Sequence, residues 1–420
     1  SCLTRSKVVT ASPPDTPVRT LYICYLSLDE PLVQSQVLPY LRELASGGIN
    51  VQLLTFEKDL QQQSQEQMAA SRDHLFAQGI AWSYLPYHKR PSIPATFYDV
   101  LRGVLRIIRL VRRERIDVLH ARAHIPMAMT LFAQRLMRCA SVFDLRGLIA
   151  EEYVDAGIWK EGSVPFKTIK WIERAGLRQA SQIIVLTERV RDWLTETDAP
   201  LADKTTVIPC CVDRSRFAGP GVRGERFEIV YAGSVVGLYL LEEMARFFLE
   251  LQKHQPSALF RVLTHGSPAM VSELMQRVGI SANDFEVVAV NPAKIPRELK
   301  RARLGISFRT PTFSQIAASP TKIAEYLAAG IPVVSNAGTG DVDELLTGER
   351  VGLTVHSFDA ATLAEAAAEA LALTNEAGIE ERCRQAAARH FDLTEIGGNR
   401  YREVYLRIER ELTTETQRIH

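Results

Sequence analysis

The chain has 420 residues, of which 46% are apolar and 24% charged, and its formal net charge is +1. This length exceeds one ordinary hydrophobic core and fits two α/β domains, while the composition excludes a largely disordered chain. The small net charge indicates no nucleic-acid partner, and no run of about 18 apolar residues could span a bilayer. The six cysteines lack metal-ligand spacing, so we expect a cytoplasmic protein without a metal site.

From residue 19 onward, short apolar runs alternate with segments of helical periodicity, a pattern typical of parallel strands joined by helices. The first half contains predicted strands at residues 20–26, 51–56, 80–85, 118–121, 141–145, 183–187 and 206–209. The second half contains predicted strands at residues 227–232, 258–264, 285–290, 304–308, 332–335 and 352–355. Periodicity also predicts helices over 360–373 and 394–412. The sequence therefore predicts an α/β fold with two doubly wound parallel sheets.

Residues 214–226 interrupt this alternation with glycine, proline and charge, and they contain little that can pack. We interpret this stretch as the linker between the domains. The predicted organisation is a flexible tail over 1–18, an N-terminal Rossmann-like domain over 19–213 and a C-terminal Rossmann-like domain over 227–393. Residues 394–420 are expected to form a helix that crosses back to the N-terminal domain.

The first candidate binding feature is the turn at Gly233 and Ser234, which follows the first strand of the second domain. Ligands of parallel sheets bind beyond the carboxyl ends of the strands, where backbone amides in such a turn can approach a phosphate. The alternative is that the glycine only permits a tight turn between a strand and a helix.

The second candidate feature is the segment that begins at Arg309, after the predicted strand 304–308. Ser319 is expected to cap the following helix, with Pro320 as its first residue. Thr321 and the first helix amides would then face the cleft together with Lys322. Positive charge at a helix N-terminus is typical of an anion site, and the alternative is an ordinary helix that faces solvent.

Residues 319–335, SPTKIAEYLAAGIPVVS, resemble the donor-binding signature of glycosyltransferase family 4 and its GT-B relatives. The resemblance implies that Glu325, one turn beyond Thr321, holds the ribose of a nucleotide. Four other stretches resemble the family in the same order: YLRELASGGINVQLLTFE, SQIIVLTERVRDWL, VIPCCVDRSRF and YAGS. The implied fold is GT-B, in which two Rossmann-like domains face a central cleft.

The resemblance also implies an activity. The implied activity is that of a hexosyl- or other glycosyltransferase that is metal-independent and retains the anomeric configuration. Such an enzyme uses a UDP- or GDP-sugar as co-substrate and no further cofactor. The acceptor, bound by the N-terminal domain, would be a glycan, a lipid-linked molecule or a small molecule, as in bacterial surface polysaccharide or glycoconjugate synthesis. Two alternatives share the donor pocket: a nucleotide-sugar epimerase and a catalytically degenerate subunit that only binds the nucleotide sugar.

The sequence departs from the family pattern at four places, the first being residues 27–31, where many relatives have a glycine-rich loop after the first strand. The upstream member of the family's pair of glutamates falls at Ala317, and the histidine often found after the fifth strand is Asp144. Residues 235–240 lack the basic pair that often binds the diphosphate. Arg309 and Lys322 would therefore have to neutralise the diphosphate charge.

The acceptor hydroxyl must lose a proton, and Asp144, His120 or the leaving phosphate is the candidate base. The acceptor side of the cleft is expected to contain four further charged residues, namely Arg122, Arg146, Glu151 and Glu152. A structural ion pair at the end of the strand is the alternative interpretation of Asp144 and its neighbours.

Two basic amphipathic segments, residues 97–115 and 166–178, lie in the predicted N-terminal domain. Arginine and lysine recur among their apolar residues at helical spacing. This pattern is typical of peripheral contact with an anionic membrane, here the inner face of a cell membrane. The alternative is a pair of surface helices whose apolar faces pack in the core while their basic residues face water.

Overall fold

The computed structural model describes residues 17–58, 60, 64–219, 221–289 and 291–419. Within these ranges the strands are β1 Arg19–Cys24, β2 Asn50–Glu57, β3 Ile80–Pro86, β4 Val118–Arg122, β5 Ala140–Asp144, β6 Gln182–Val185, β7 Thr205–Val207, β8 Glu228–Ala232, β9 Leu259–Leu263, β10 Phe285–Val288, β11 Leu304–Ser307, β12 Val333–Asn336 and β13 Gly352–Val355. The α-helices of the same ranges are α1 Pro31–Gln36, α2 Leu38–Ser46, α3 Gln65–Phe76, α4 Ser92–Glu114, α5 His124–Gln134, α6 Ile149–Asp155, α7 Val164–Gln179, α8 Glu188–Thr197, α9 Leu241–His254, α10 Pro268–Val278, α11 Ile295–Leu299, α12 Thr321–Ala328, α13 Val342–Glu349, α14 Ala360–Thr374, α15 Ile379–Phe391 and α16 Asn399–Ile419.

The strands form two parallel sheets. The first has the order β3-β2-β1-β4-β5-β6-β7 and the second the order β10-β9-β8-β11-β12-β13. In each sheet the chain begins at a central strand and winds outward in both directions, which is the doubly wound topology. Helices cover both faces, so central strands such as β1 and β8 are buried along nearly their whole length. The predicted fold class is confirmed.

Helix α16 packs on the first sheet, far from its neighbours in sequence. Tyr401, Val404 and Tyr405 of this helix are buried in the same core cluster as β1 and α2. A π-helical turn, Leu393–Gly398, precedes α16, and the Asp392 side chain accepts hydrogen bonds from the first amides of that turn. The regular helix therefore begins at Asn399, five residues after the expected start at residue 394.

The connection between the two domains packs against the C-terminal domain. Phe217 is buried in a core cluster of that domain. Arg226 donates hydrogen bonds to the carbonyl oxygens of Ser257, Ala258 and Asn283, each at 2.6 Å. Residues 214–226 therefore contain packed and hydrogen-bonded side chains, which the expectation from composition had missed.

Candidate active site

The start of α12 faces the carboxyl ends of the second sheet. The helix begins at Thr321, and Pro320 occupies the N-cap position without a side-chain hydrogen bond. The prediction of Ser319 as the cap and Pro320 as the first helical residue is therefore wrong. Ser319 Oγ instead accepts a hydrogen bond from the Cys210 amide at 3.1 Å. Because no side chain caps α12, its first amides can donate to a ligand.

Lys322, in the first turn of α12, has a buried ammonium group with aromatic neighbours. Its Nζ lies 4.1 Å from the ring centroid of Tyr231 and 4.0 Å from that of Tyr239. Within the described ranges, no atom accepts a hydrogen bond from Nζ. Burial, together with the positive charge of Arg309, holds the pKa of Lys322 well below its usual range. A buried ammonium without an acceptor is costly, so the position fits a bound anion.

Arg309 supplies the second positive charge. Its guanidinium carbon lies 4.6 Å from the ring centroid of Tyr239, and its Nε donates to Gln315 Oε1 at 2.5 Å. The backbone amide of Arg309 donates to Asn336 Oδ1 at 2.7 Å. Both cations of the site therefore contact one aromatic ring, and Arg309 is fixed at its backbone and its side chain.

Tyr239 is the residue of this site that the sequence analysis missed. The stretch around it pairs antiparallel with the end of β11, since the Leu240 amide donates to the Phe308 carbonyl at 3.1 Å and the Thr310 amide to the Leu238 carbonyl at 2.9 Å. This pairing places the tyrosine in the loop where the family's basic pair is missing. In the local sequence, only the aromatic residue at this point of the loop could have indicated that Tyr239 contacts the site.

Gly233 leaves the space that Lys322 occupies. Its φ of 140° lies in the region that favours glycine. A Cβ atom at this position would lie 2.7 Å from Lys322 Nζ. The adjacent Ser234 is exposed, and its carbonyl accepts a hydrogen bond from the Tyr231 hydroxyl. The glycine turn and the start of α12 are thus brought together.

Glu325 lies one turn further along α12. Among the described residues, no group donates a hydrogen bond to its carboxylate. Burial raises the pKa of Glu325 to about 7, although the positive charges of Arg216 and Lys322 act in the opposite direction. This half-buried carboxylate therefore lacks a hydrogen-bond donor, which a sugar or ribose hydroxyl would supply.

Ala317 occupies a contact between the domains. It ends the 3₁₀ turn Phe313–Ala317 and is buried in the same apolar cluster as Leu148 and Val190 of the N-terminal domain. A glutamate side chain at this position would be placed among apolar groups. The departure from the family's paired glutamates therefore coincides with apolar packing across the cleft.

The first turn of α8, in the N-terminal domain, is held by a carboxylate of the C-terminal domain. Asp341 accepts hydrogen bonds from the amides of Glu188, at 2.7 Å, and Arg189, at 3.2 Å. Thr187 Oγ1 donates to the carbonyl of Ile316 at 2.6 Å. A carboxylate at a helix N-terminus is favourable, and these bonds fix the two domains at one edge of the cleft.

Glu152 of α6, which was predicted for the acceptor side of the cleft, interacts electrostatically with Arg309. Burial raises the pKa of Glu152, while Arg309 acts in the opposite direction. The neighbouring Glu151 is engaged, because Lys170 Nζ lies 2.7 Å from its Oε1. The carboxylate of Asp155, at the end of α6, accepts a hydrogen bond from the Ser314 amide at 3.4 Å. Helix α6 therefore packs beside the turn Phe313–Ala317 that follows Arg309.

Asp144 is fully buried and belongs to a network beneath α16. Its carboxylate lies 3.4 Å from Arg146 and 3.6 Å from Arg122. The hydroxyls of Tyr401 and Tyr22 donate to it at 3.2 and 3.4 Å. Burial alone would raise the pKa of Asp144, but the neighbouring cations hold it below its usual range. Asp144 is thus an ionised carboxylate with several partners.

His120 is also fully buried. Its Nδ1 lies 2.9 Å from the Tyr405 hydroxyl, and its Nε2 lies 3.8 Å from the Asp144 carboxylate. Burial lowers the pKa of His120. Because both side chains are fully buried, neither His120 nor Asp144 reaches the cleft. This geometry favours the interpretation of Asp144 and its neighbours as a structural ion pair over that of a catalytic base.

A cavity of about 880 Å³ lies along the linker, between residues 221–226 and α11. Most of its cations have partners; for example, Arg301 pairs with Glu228, and Lys300 Nζ donates to the carbonyls of Ala218 and Gly219. It lacks the unpartnered ammonium found at Lys322. The cavity is therefore not the candidate active site.

Residues 33–216 match the family model Glycosyltransferase Family 4. No curated protein matches the chain by sequence. A glycosyltransferase from Rickettsia africae is 15% identical, with a TM-score of 0.68, and the similarity covers 93% of this chain and 98% of that one. The sucrose-phosphate synthase from Thermosynechococcus elongatus is 15% identical, with a TM-score of 0.69 and coverage of 93% and 99%.

The protein HepE from Anabaena, solved in complex with UDP and glucose, is 14% identical, with a TM-score of 0.64 and coverage of 95% and 99%. These likenesses extend over both sheets and the cleft between them, and they show the fold. The family match lies in the N-terminal domain, while Lys322, Arg309 and the start of α12 lie in the C-terminal domain. Together, the comparisons show that the chain has the GT-B fold and that residues 33–216 resemble Glycosyltransferase Family 4.

Proposed function

We propose that the chain transfers a glycosyl group, with retention at the anomeric carbon, from a nucleotide-diphosphate sugar to an acceptor hydroxyl. The buried, unpartnered ammonium of Lys322 carries this proposal, since Lys322 belongs to the first turn of α12, which no side chain caps, and contacts the same aromatic ring as Arg309. A UDP-sugar is the first choice of donor, because the similar fold of HepE was solved with UDP and glucose. The proposed acceptor is a glycan, lipid-linked or small molecule, in bacterial surface polysaccharide or glycoconjugate synthesis.

In the proposed complex, each donor-site residue contacts one part of the nucleotide sugar. Lys322, Arg309 and the first amides of α12 bind the diphosphate, and Gly233 and Ser234 approach it from the neighbouring turn. Glu325 accepts hydrogen bonds from the ribose hydroxyls. Fixed cations at the diphosphate stabilise the negative charge that develops as the sugar leaves. Such electrostatic stabilisation accounts for a large part of the rate acceleration in many enzymes.

The proposed reaction breaks the bond between the anomeric carbon and the diphosphate oxygen and forms a bond from the same carbon to the acceptor oxygen. The acceptor proton passes to the leaving diphosphate. The other two candidate bases, His120 and Asp144, are fully buried and so cannot contact an acceptor in the cleft. In this proposal Glu152, which interacts electrostatically with Arg309, orients the acceptor hydroxyl. The sugar is thus exchanged between two oxygens, and the products are the glycoside and the nucleoside diphosphate.

Removal of divalent metal ions tests the proposed role of the side-chain cations. If Lys322 and Arg309 neutralise the diphosphate, release of UDP from UDP-glucose should continue at an unchanged rate in EDTA. A loss of turnover in EDTA that added Mg²⁺ restores would contradict this role.

Incubation of several UDP- and GDP-sugars without acceptor tests the epimerase alternative. An epimerase would convert one nucleotide sugar into another and release no nucleoside diphosphate.

A further inference from the structure

Helix α4 exposes a stripe of large apolar residues on the N-terminal domain. Phe97 is 71% exposed, Leu101 51% and Leu105 58%. Their spacing of four residues places them along one side of the helix. The helix buries other residues, including Ile107 and Val111, against the first sheet. The exposed stripe is thus additional to the face that packs in the core, so core packing alone does not explain it.

Helices α5 and α7 extend this surface. Both lie on the same side of the first sheet as α4, and each packs against its neighbour in the layer. Phe132 of α5, Leu136 in the turn after α5 and Trp171 of α7 are also exposed. We call the outer surface of this layer the α4 face. Its exposed apolar residues are Ile93, Phe97, Leu101, Leu105, Phe132, Leu136 and Trp171.

The α4 face is strongly basic. Its exposed cations are Arg109, Arg112, Arg113, Arg135, Arg138, Lys167, Arg174 and Arg178. The acidic residues of the three helices are all engaged: Asp99 pairs with a histidine, Glu114 with an arginine and Glu173 with a lysine. The Nε of Arg106 has no hydrogen-bond partner among the described residues. Arg113 is the partner of Glu114, and the other seven exposed cations have no acidic partner among the described residues, so the face carries a net positive charge.

We propose that the α4 face binds the surface of an anionic lipid bilayer. The apolar stripe would enter the boundary between headgroups and acyl chains, and the arginines would contact the lipid phosphates. The charge of the face favours this occupant over a second copy of the chain, since two such faces would repel each other. No helix in the described part of the chain is long and apolar enough to cross a membrane.

Vesicle co-sedimentation tests the proposal with the whole chain. The wild type should sediment with vesicles of phosphatidylglycerol and remain in solution with vesicles of phosphatidylcholine. The variant R109Q/R112Q/R113Q should lower the partition coefficient on phosphatidylglycerol about a hundredfold, from the loss of three charges. The variant F97S/L101S/L105S should show a comparable loss. Because the arginine variant leaves the buried side of α4 unchanged, it decides the test if the serine variant does not fold.

The matched control is F76S/V222S/L406S, which replaces three exposed apolar residues outside the α4 face. It should bind phosphatidylglycerol as the wild type does. Equal binding to both vesicle types, binding to neither, or an equal loss in the control would overturn the proposal. A dimer in light scattering that the serine variant abolishes, without vesicle binding by the wild type, would identify a second copy as the occupant and would also overturn it.

Discussion

Lys322→Met should lower kcat by about 10²–10³-fold, the usual effect of removing one preorganised donor from a site of developing negative charge. The same variant should be more stable without ligand, by about 1–3 kcal/mol, because the buried ammonium has no hydrogen-bond acceptor. Steady-state release of UDP and denaturant unfolding measure the two effects. Lost activity combined with raised stability is typical of a functional residue and opposite to the effect of a structural one.

Lys253→Met is the matched control, since Lys253 is an exposed lysine of the same domain that pairs with Glu250. It should change neither kcat nor the free energy of unfolding appreciably. If Lys322→Met left kcat unchanged, or lowered stability and activity together, Lys322 would be a structural residue and the proposed diphosphate site would be wrong.

Glu325→Gln should raise stability above pH 7 and weaken donor binding. Burial raises the pKa of this carboxyl from 4.5 to about 7, so between these values the folded chain holds a proton that the unfolded chain has released. Stability therefore falls as the pH rises through this window, by on the order of 2–3 kcal/mol in total. Glutamine does not ionise, so the variant should lack this fall. Thermal or urea unfolding between pH 4 and pH 9 measures it.

The effect of Glu325→Gln on nucleotide affinity should also depend on pH. An ionised carboxylate accepts from ribose hydroxyls more strongly than an amide, so the variant should bind UDP about tenfold more weakly at pH 8. Wild-type affinity should decrease below pH 7, where Glu325 becomes protonated, and the variant should not share this decrease. Exposed Glu369 of α14 provides the control Glu369→Gln. Equal affinities of wild type and variant at pH 8 would remove Glu325 from the donor site.

The thirteen predicted strands occur because buried parallel strands are continuous apolar runs that are visible in the local sequence. The run predicted at residues 227–232, for example, forms β8 at Glu228–Ala232. The clustering of positive charge at the start of α12 was predictable for a related reason. Arg309, Thr321 and Lys322 follow one strand and begin the next helix, so their spacing along the chain nearly determines their spacing in the fold.

The features that the sequence analysis missed depend on contacts between distant parts of the chain. Asp144 is covered by Tyr401, which lies 257 residues later, so the end of β5 alone could not indicate its burial. Tyr239 reaches the two cations because its loop pairs with residues beyond β11. Ser319 was mistaken for a helix cap, since its hydroxyl bonds to Cys210 instead.

The most direct test of the donor site compares UDP with UMP by calorimetry, in the wild type and in Lys322→Met. The comparison isolates the second phosphate, and GDP with GMP serves if the uridine nucleotides do not bind. The wild type should bind the diphosphate more tightly than the monophosphate, and the variant should lose about tenfold or more of that preference, the effect of one charge-assisted contact. An unchanged ratio of the two affinities would contradict diphosphate binding by Lys322.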